Sequence, residues 1–228
     1  MINDPKTLGL ALLGGLIPSL IWLWFWLKED NKKDEPKGLL TIIFILGMLS
    51  VVCVLPVQKF IQNVIASNQW EIILWACSEE IVKYLAVIVI IYKSHYVDEP
   101  LDWPIYMITA ALGFAALENT LFLIKPLSLG DTVVGLLTGQ LRFLGSTLLH
   151  AVASASIGIA LGLAFYVEQK YKKYYLIIGL IFATVLHSVF NFFIIKDAGN
   201  DFLRVLAFLW VITIIVMLLF EKLRRMSP

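Results

Sequence analysis

The sequence predicts an all-α fold: a polytopic bundle of about seven transmembrane helices in a single domain. The 228 residues are 60% hydrophobic and only 15% charged, against about 45–50% apolar and about 25% charged in a soluble domain. Mean hydropathy is +0.85. Apolar runs of about 20 residues, the length that crosses a bilayer, recur along the whole chain between clusters of Pro and charge.

In order, the runs cover residues 8–27, 38–57, 72–92, 104–124, 144–166, 174–195 and 202–220. The first lacks a basic leader and a small-residue cleavage site and is rich in Trp, so it is expected to be a retained span. Residues 58–71 are semi-polar and predict a short amphipathic helix in the interface. Residues 131–143 make the fifth stretch too long for one span and predict an interfacial or re-entrant lead-in. Cys53 and Cys77 both fall inside spans, with no disulfide framework or redox motif. Residues 1–228 are expected to form one integral-membrane domain with its motif-bearing core over about 72–195.

Basic residues set the orientation. With the N-terminus outside and the C-terminus inside, eleven lysines and arginines fall on the cytoplasmic side and five on the outer side. The protein is expected in the cell membrane as a multi-pass protein, without a nucleic-acid partner.

Within the third run stands Ser78-Glu79-Glu80-Ile81-Val82-Lys83. Each ionisable residue at mid-membrane costs about 2.5–3.5 kcal/mol on insertion scales and is functional by default. Lys83 is at helical spacing from both Glu79 and Glu80, so one carboxylate is left over. On the predicted topology Glu79 and Glu80 lie about 10–12 Å below the outer surface at 1.5 Å per residue. Glu118 and Asn119 on the fourth run, His150 on the fifth, and His187 with Asn191 on the sixth reach the same layer. Arg142 lies nearby. Four helices therefore deliver ionisable residues to one depth in the outer half of the bilayer.

Carboxylates beside imidazoles suit a water activated by glutamate or a divalent metal with an open position. The Asn191 amide, one turn from His187, could donate to an oxyanion. No HExxH, GxSxG or paired-Asp protease motif is present. A separate stripe, His150, Ser154, Gly158 and Gly162, recurs every four residues and predicts close approach of another helix, from this protein or from a substrate.

These residues resemble the PrsW family of intramembrane proteases, within the wider superfamily of CAAX prenyl endopeptidases and bacteriocin-immunity-type membrane proteases. The resemblance rests on Glu79-Glu80-x-x-Lys83, Gly113-Phe114-Ala-Ala-Leu-Glu118-Asn119, Arg142 with His150, and His187-x-x-x-Asn191. It implies that Glu79 is the base, that Lys83 holds Glu80, and that His187 with Asn191 stabilises the oxyanion. Asn119 and Arg142 are supporting residues. The CAAX branch has an arginine four residues after the second Glu and a histidine four after the Phe. Here Lys83 is three after Glu80, and Glu118 stands in place of that histidine, which points to the PrsW branch.

The expected partner is a membrane-anchored protein substrate; the resemblance implies an anti-sigma factor cut first near the extracytoplasmic side. Processing of a lipidated or prenylated peptide is the alternative enzymatic reading. A proton- or cation-coupled carrier is the non-enzymatic one, and it lacks the internal repeats that mark transporter sites. On metal, three ionised carboxylates against Lys83 and Arg142 leave negative charge in a low-dielectric site. The expectation is Zn²⁺ held by Glu118, His150 and His187 with Glu79 as base; a metal-free glutamate mechanism is the alternative.

Overall fold

The computed structural model describes residues 4–28, 35–92, 95–130, 142–196 and 202–226. They form seven helices: α1 (Pro5–Lys28), α2 (Lys37–Val64), α3 (Asn68–Ile91), α4 (Asp102–Ser128), α5 (Thr147–Leu163), α6 (Gln169–Lys196) and α7 (Phe202–Met226). A π-helical turn, Arg142–Ser146, leads directly into α5. The described residues contain no strand.

Six helices, counting α5 from Arg142, are long and apolar enough to cross a membrane. The remaining one, α3, is 24 residues long; Glu71, Glu79, Glu80 and Lys83 interrupt its apolar character. It packs against α2, α4, α5 and α6 as a member of the bundle. The multi-pass helical bundle expected from composition is therefore the observed architecture, and the helix with the charges is the one composition alone disqualifies.

Helix α4 is the centre of the bundle, in contact with α1, α2, α3 and α5. Its residues from Ile105 to Ala116 are buried without interruption, as expected of a helix that is apolar all round. Two reciprocal glycines bring α2 and α4 together: a Cβ on Gly47 would collide with the Ala110 carbonyl, and one on Gly113 with the Phe44 carbonyl. This close approach, a membrane packing device, fixes the level at which Phe114, Glu118 and Asn119 emerge from α4. At the start of α4, Asp102 Oδ2 accepts the amide N–H groups of Asp98 (2.7 Å) and Glu99 (2.8 Å) and secures the preceding turn.

The small-residue stripe of α5 meets that same turn. A Cβ on Gly158 would strike Pro104, and one on Gly162 the Pro100 carbonyl. The neighbour that the stripe admits is thus α4 of the same chain. No separate interfacial helix occupies residues 58–71, contrary to the sequence expectation. Helix α2 continues through Pro56 to Val64, and α3 begins at Asn68 after a break at residues 65–67. At 28 residues, or about 42 Å at 1.5 Å per residue, α2 outruns the hydrocarbon core of about 30 Å. Its semi-polar last turns continue the helix without a break. The expected lead-in falls mostly on residues 131–141, outside the described residues.

Candidate active site

Helix α3 buries one stripe, Ala76, Glu79, Glu80, Lys83 and Val87, spaced at three and four residues. The stripe turns both carboxylates and the ammonium into the bundle, where Lys83 and Glu80 are fully buried. Burial of ions at this depth is tolerated only when partners replace water, and the two glutamates differ sharply in what they are given.

Glu80 is saturated. Its Oε1 accepts from Lys83 Nζ at 2.7 Å and from His187 Nδ1 at 3.0 Å, and its Oε2 accepts from Ser154 Oγ at 2.6 Å. These three donors come from α3, α6 and α5. Glu80 is thereby an acceptor that ties three helices together, and its carboxylate fixes the ring of His187. With Nδ1–H donated to Glu80, the network assigns the lone pair of His187 to Nε2.

Glu79 is only half satisfied. Its Oε1 accepts from Gln58 Nε2 at 2.9 Å, whereas Oε2 is buried without a hydrogen-bond partner among the described residues. That oxygen stands 3.5 Å from His187 Nε2 and 3.9 Å from Lys83 Nζ.

Lys83 also lies 2.9 Å from His150 Nδ1 and 4.4 Å from the centre of the Phe114 ring, a cation–π distance. An ammonium can only donate, so His150 Nδ1 is the acceptor. The proton on His150 is then at Nε2, which faces Glu118 Oε2 at 3.1 Å. Glu118 Oε2 accepts from Arg142 Nη2 as well, and Arg142 Nε donates to Asn119 Oδ1. Asn119 in turn donates to Thr147 Oγ1 at 2.8 Å. Arg142 opens the π-helical turn, and its guanidinium reaches α4 from there.

The structure thus brings Glu79, Glu80, Lys83, Glu118, His150 and His187 into one connected polar cluster, with Arg142 and Asn119 at its edge. The two imidazole rings lie 5.0 Å apart between centroids and at 87°. Asn191, one turn along α6 from His187, is half-buried and makes no hydrogen bond among the described residues. Gln58, Glu118 and Arg142, none of which is fully buried, form the rim of the cluster.

The two sides of the cluster separate the expected metal ligands. Glu79, His150 and His187 each place one ligand atom within 4.8 Å of the other two. Glu118, expected as the carboxylate of that set, is engaged by Arg142 and by the protonated nitrogen of His150 instead. Gln58, Ser154, Ser146 and Thr147 were not among the expected site residues. Only Ser154 gave a signal in the sequence, through its place in the α5 stripe below His150.

A family model described as "PrsW family intramembrane metalloprotease" matches residues 35–220. The chain belongs to the PrsW family of intramembrane proteases. The match spans α2 to α7 and includes every residue of the cluster. Among relatives named Protease PrsW, that of Oceanobacillus iheyensis is 32% identical over 89% of this chain and 92% of its own. The Geobacillus kaustophilus relative is 29% identical over 79% of this chain and 78% of its own. The relative in Bacillus subtilis is 24% identical over 86% and 88%. No solved structure matches the chain. As a PrsW-family member the protein is a membrane-embedded hydrolase of peptide bonds.

The family's metal can be tested against the side chains. A lone-pair nitrogen, His187 Nε2, and an orphaned carboxylate oxygen, Glu79 Oε2, face each other with no donor between them. Two acceptors so placed suit a shared cation. The Glu80 carboxylate behind His187 is the outer-shell partner that metal-bound imidazoles generally have. The residues fit a divalent metal.

Proposed function

We propose that the protein is a site-specific protease that cleaves a membrane-anchored protein near the extracytoplasmic surface, with Glu79 as the carboxylate that takes the proton of the attacking water. The observation supporting this reading is the contrast between two adjacent glutamates: Glu80 has three donors, while Glu79 keeps one buried oxygen unpartnered.

In the proposed sequence, Glu79 Oε2 holds the water and removes its proton as the water oxygen bonds to the scissile carbonyl carbon. The Asn191 amide donates to the carbonyl oxygen as it becomes an oxyanion. Breaking the C–N bond releases an amine, which takes the proton from Glu79. Glu80, Ser154 and Lys83 do not touch substrate in this scheme; they hold the His187 and His150 rings in fixed tautomers. Arg142 holds Glu118 and Asn119 at the rim. Zn²⁺, if held by His187 Nε2 and the Glu79 carboxylate, would supply Lewis-acid polarisation of the water or carbonyl; His150, whose Nδ1 accepts from Lys83, could join them only by giving up that bond.

The substrate proposed is a membrane-anchored anti-sigma factor, as the family resemblance implies, with the N-terminus of the protease outside and its C-terminus inside. Co-expression with such a factor carrying tags on both sides of the membrane tests this. Wild-type protein should release an extracytoplasmic fragment, and Glu79→Gln protein should not. A cut on the cytoplasmic side, or none in any candidate factor, would overturn the substrate assignment.

A further inference from the structure

Gln58 lies on α2, two residues after Pro56, and is half-buried at the rim of the cluster. Helix α3 grips it at two points. Trp75 Nε1 donates to the Gln58 backbone carbonyl at 3.2 Å, and one turn further along α3 Glu79 Oε1 accepts from Gln58 Nε2 at 2.9 Å. The first contact anchors the residue so that the second can be made. The orientation of the amide is set by chemistry, since its carbonyl oxygen facing a carboxylate would put two acceptors together.

Glu79 has otherwise no hydrogen bond that distinguishes its two oxygens. Among the described residues this contact is the one that occupies Oε1, and it leaves Oε2 turned toward His187 and Lys83. A carboxylate whose ring of partners is incomplete can rotate about its terminal torsion, which is broad. A bond from a neighbouring helix removes that freedom.

We infer that Gln58 is a positioning residue for the hydrolysis: its amide N–H holds Glu79 Oε1 and so reserves Oε2 for the reacting water. The inference rests on the reading of Glu79 given above. It adds α2 to the helices that build the site and makes the α2–α3 contact part of the catalytic geometry.

Purified full-length protein in liposomes, with a membrane-anchored substrate that the wild type cleaves, provides the test. Four proteins are compared for kcat and KM: wild type, Gln58→Met, Gln58→His and Glu79→Gln. Methionine keeps the length of the side chain without a donor, whereas histidine returns an N–H at similar reach. Outer-shell partners of this kind are worth about 10–100-fold. Gln58→Met should lose about that much in kcat with KM unchanged, and Gln58→His should recover most of the loss. Wild-type kcat in Gln58→Met, equal losses in both variants, or a change confined to KM would overturn the role of Gln58. Wild-type turnover in Glu79→Gln would instead overturn the reading of Glu79 on which it rests. Inactive Glu79→Gln with unimpaired Gln58→Met would remove Gln58 alone.

Discussion

His187 Nε2 and Glu79 Oε2 face each other at 3.5 Å, and the carboxylate oxygen has no hydrogen bond although it is buried. Leaving a buried acceptor unsatisfied costs about 1–3 kcal/mol, more for a charged group. The bundle carries that cost at one oxygen while satisfying every other carboxylate oxygen of the cluster that is fully buried. An unsatisfied group of this kind calls for an explanation, and at Glu79, unlike at Glu99 and Asp102, a lone-pair nitrogen stands opposite the orphaned oxygen.

Metal content distinguishes two possible ligand sets. The geometry groups Glu79 with the two imidazoles and assigns Glu118 to Arg142. Protein purified without chelator is expected to hold near-stoichiometric zinc. His187→Ala and Glu79→Ala should lose it, whereas Glu118→Gln should retain it. Elemental analysis decides, and loss of zinc from Glu118→Gln with retention in Glu79→Ala would restore the set expected from sequence.

Removing Lys83 should unfold the centre of the bundle. Lys83 serves Glu80 at 2.7 Å and His150 at 2.9 Å, and removing one member of a buried ion pair costs about 3–5 kcal/mol. Lys83→Met is expected to lower stability in detergent by about that amount. Adding Glu80→Gln to it should return part of the loss, which a double-mutant cycle would measure.

The stripe on α5 gives a packing test. Gly158→Leu would drive a side chain into the Pro104 backbone, and overpacking of this kind costs about 1–3 kcal/mol. Because α5 carries His150 and Ser154, activity should fall with stability. Gly9→Leu, where a Cβ meets nothing within 4 Å, should be neutral in unfolding and cleavage assays alike.

Arg142→Lys should not behave as a conservative change. Arg142 uses Nε for Asn119 and Nη2 for both Glu118 and Ser146. A lysine has no planar fork with which to reproduce that set. The variant is expected to lose about 10–100-fold in activity, the usual effect of disturbing an outer shell, while remaining folded. Unchanged kinetics in Arg142→Lys would reduce the arginine to a point charge.

Much of this was legible in the sequence because membrane chains expose their exceptions. Glu79, Glu80, Lys83, Glu118, His150 and His187 stand out against apolar runs, and counting their positions along each run brings them to one layer. What counting could not reveal is which partner each one takes. Glu79 and Glu80 are adjacent in sequence, yet only Glu80 meets Ser154, 74 residues away. Gln58 was lost in a semi-polar stretch that read as interfacial, because its partner lies 21 residues further along on another helix. Arg142 was legible as a cation near the carboxylates, but its pairing with both Glu118 and Asn119 from within a π-helical turn was not, because no periodicity announces such a turn.

The central claim is that Glu79 is held for chemistry and Glu80 for structure, and one paired measurement tests it most directly. Cleavage rate and unfolding stability are recorded for Glu79→Gln and Glu80→Gln in the same detergent or lipid. Glu79→Gln should lose about 10²–10⁴-fold in cleavage with stability equal to or above wild type, since a buried, underpaired charge is removed. Glu80→Gln should lose stability as well as activity, because the charge that accepts from Lys83 and His187 is gone. Wild-type cleavage by a folded Glu79→Gln protein, or a loss of stability in Glu79→Gln as large as that in Glu80→Gln, would contradict the account.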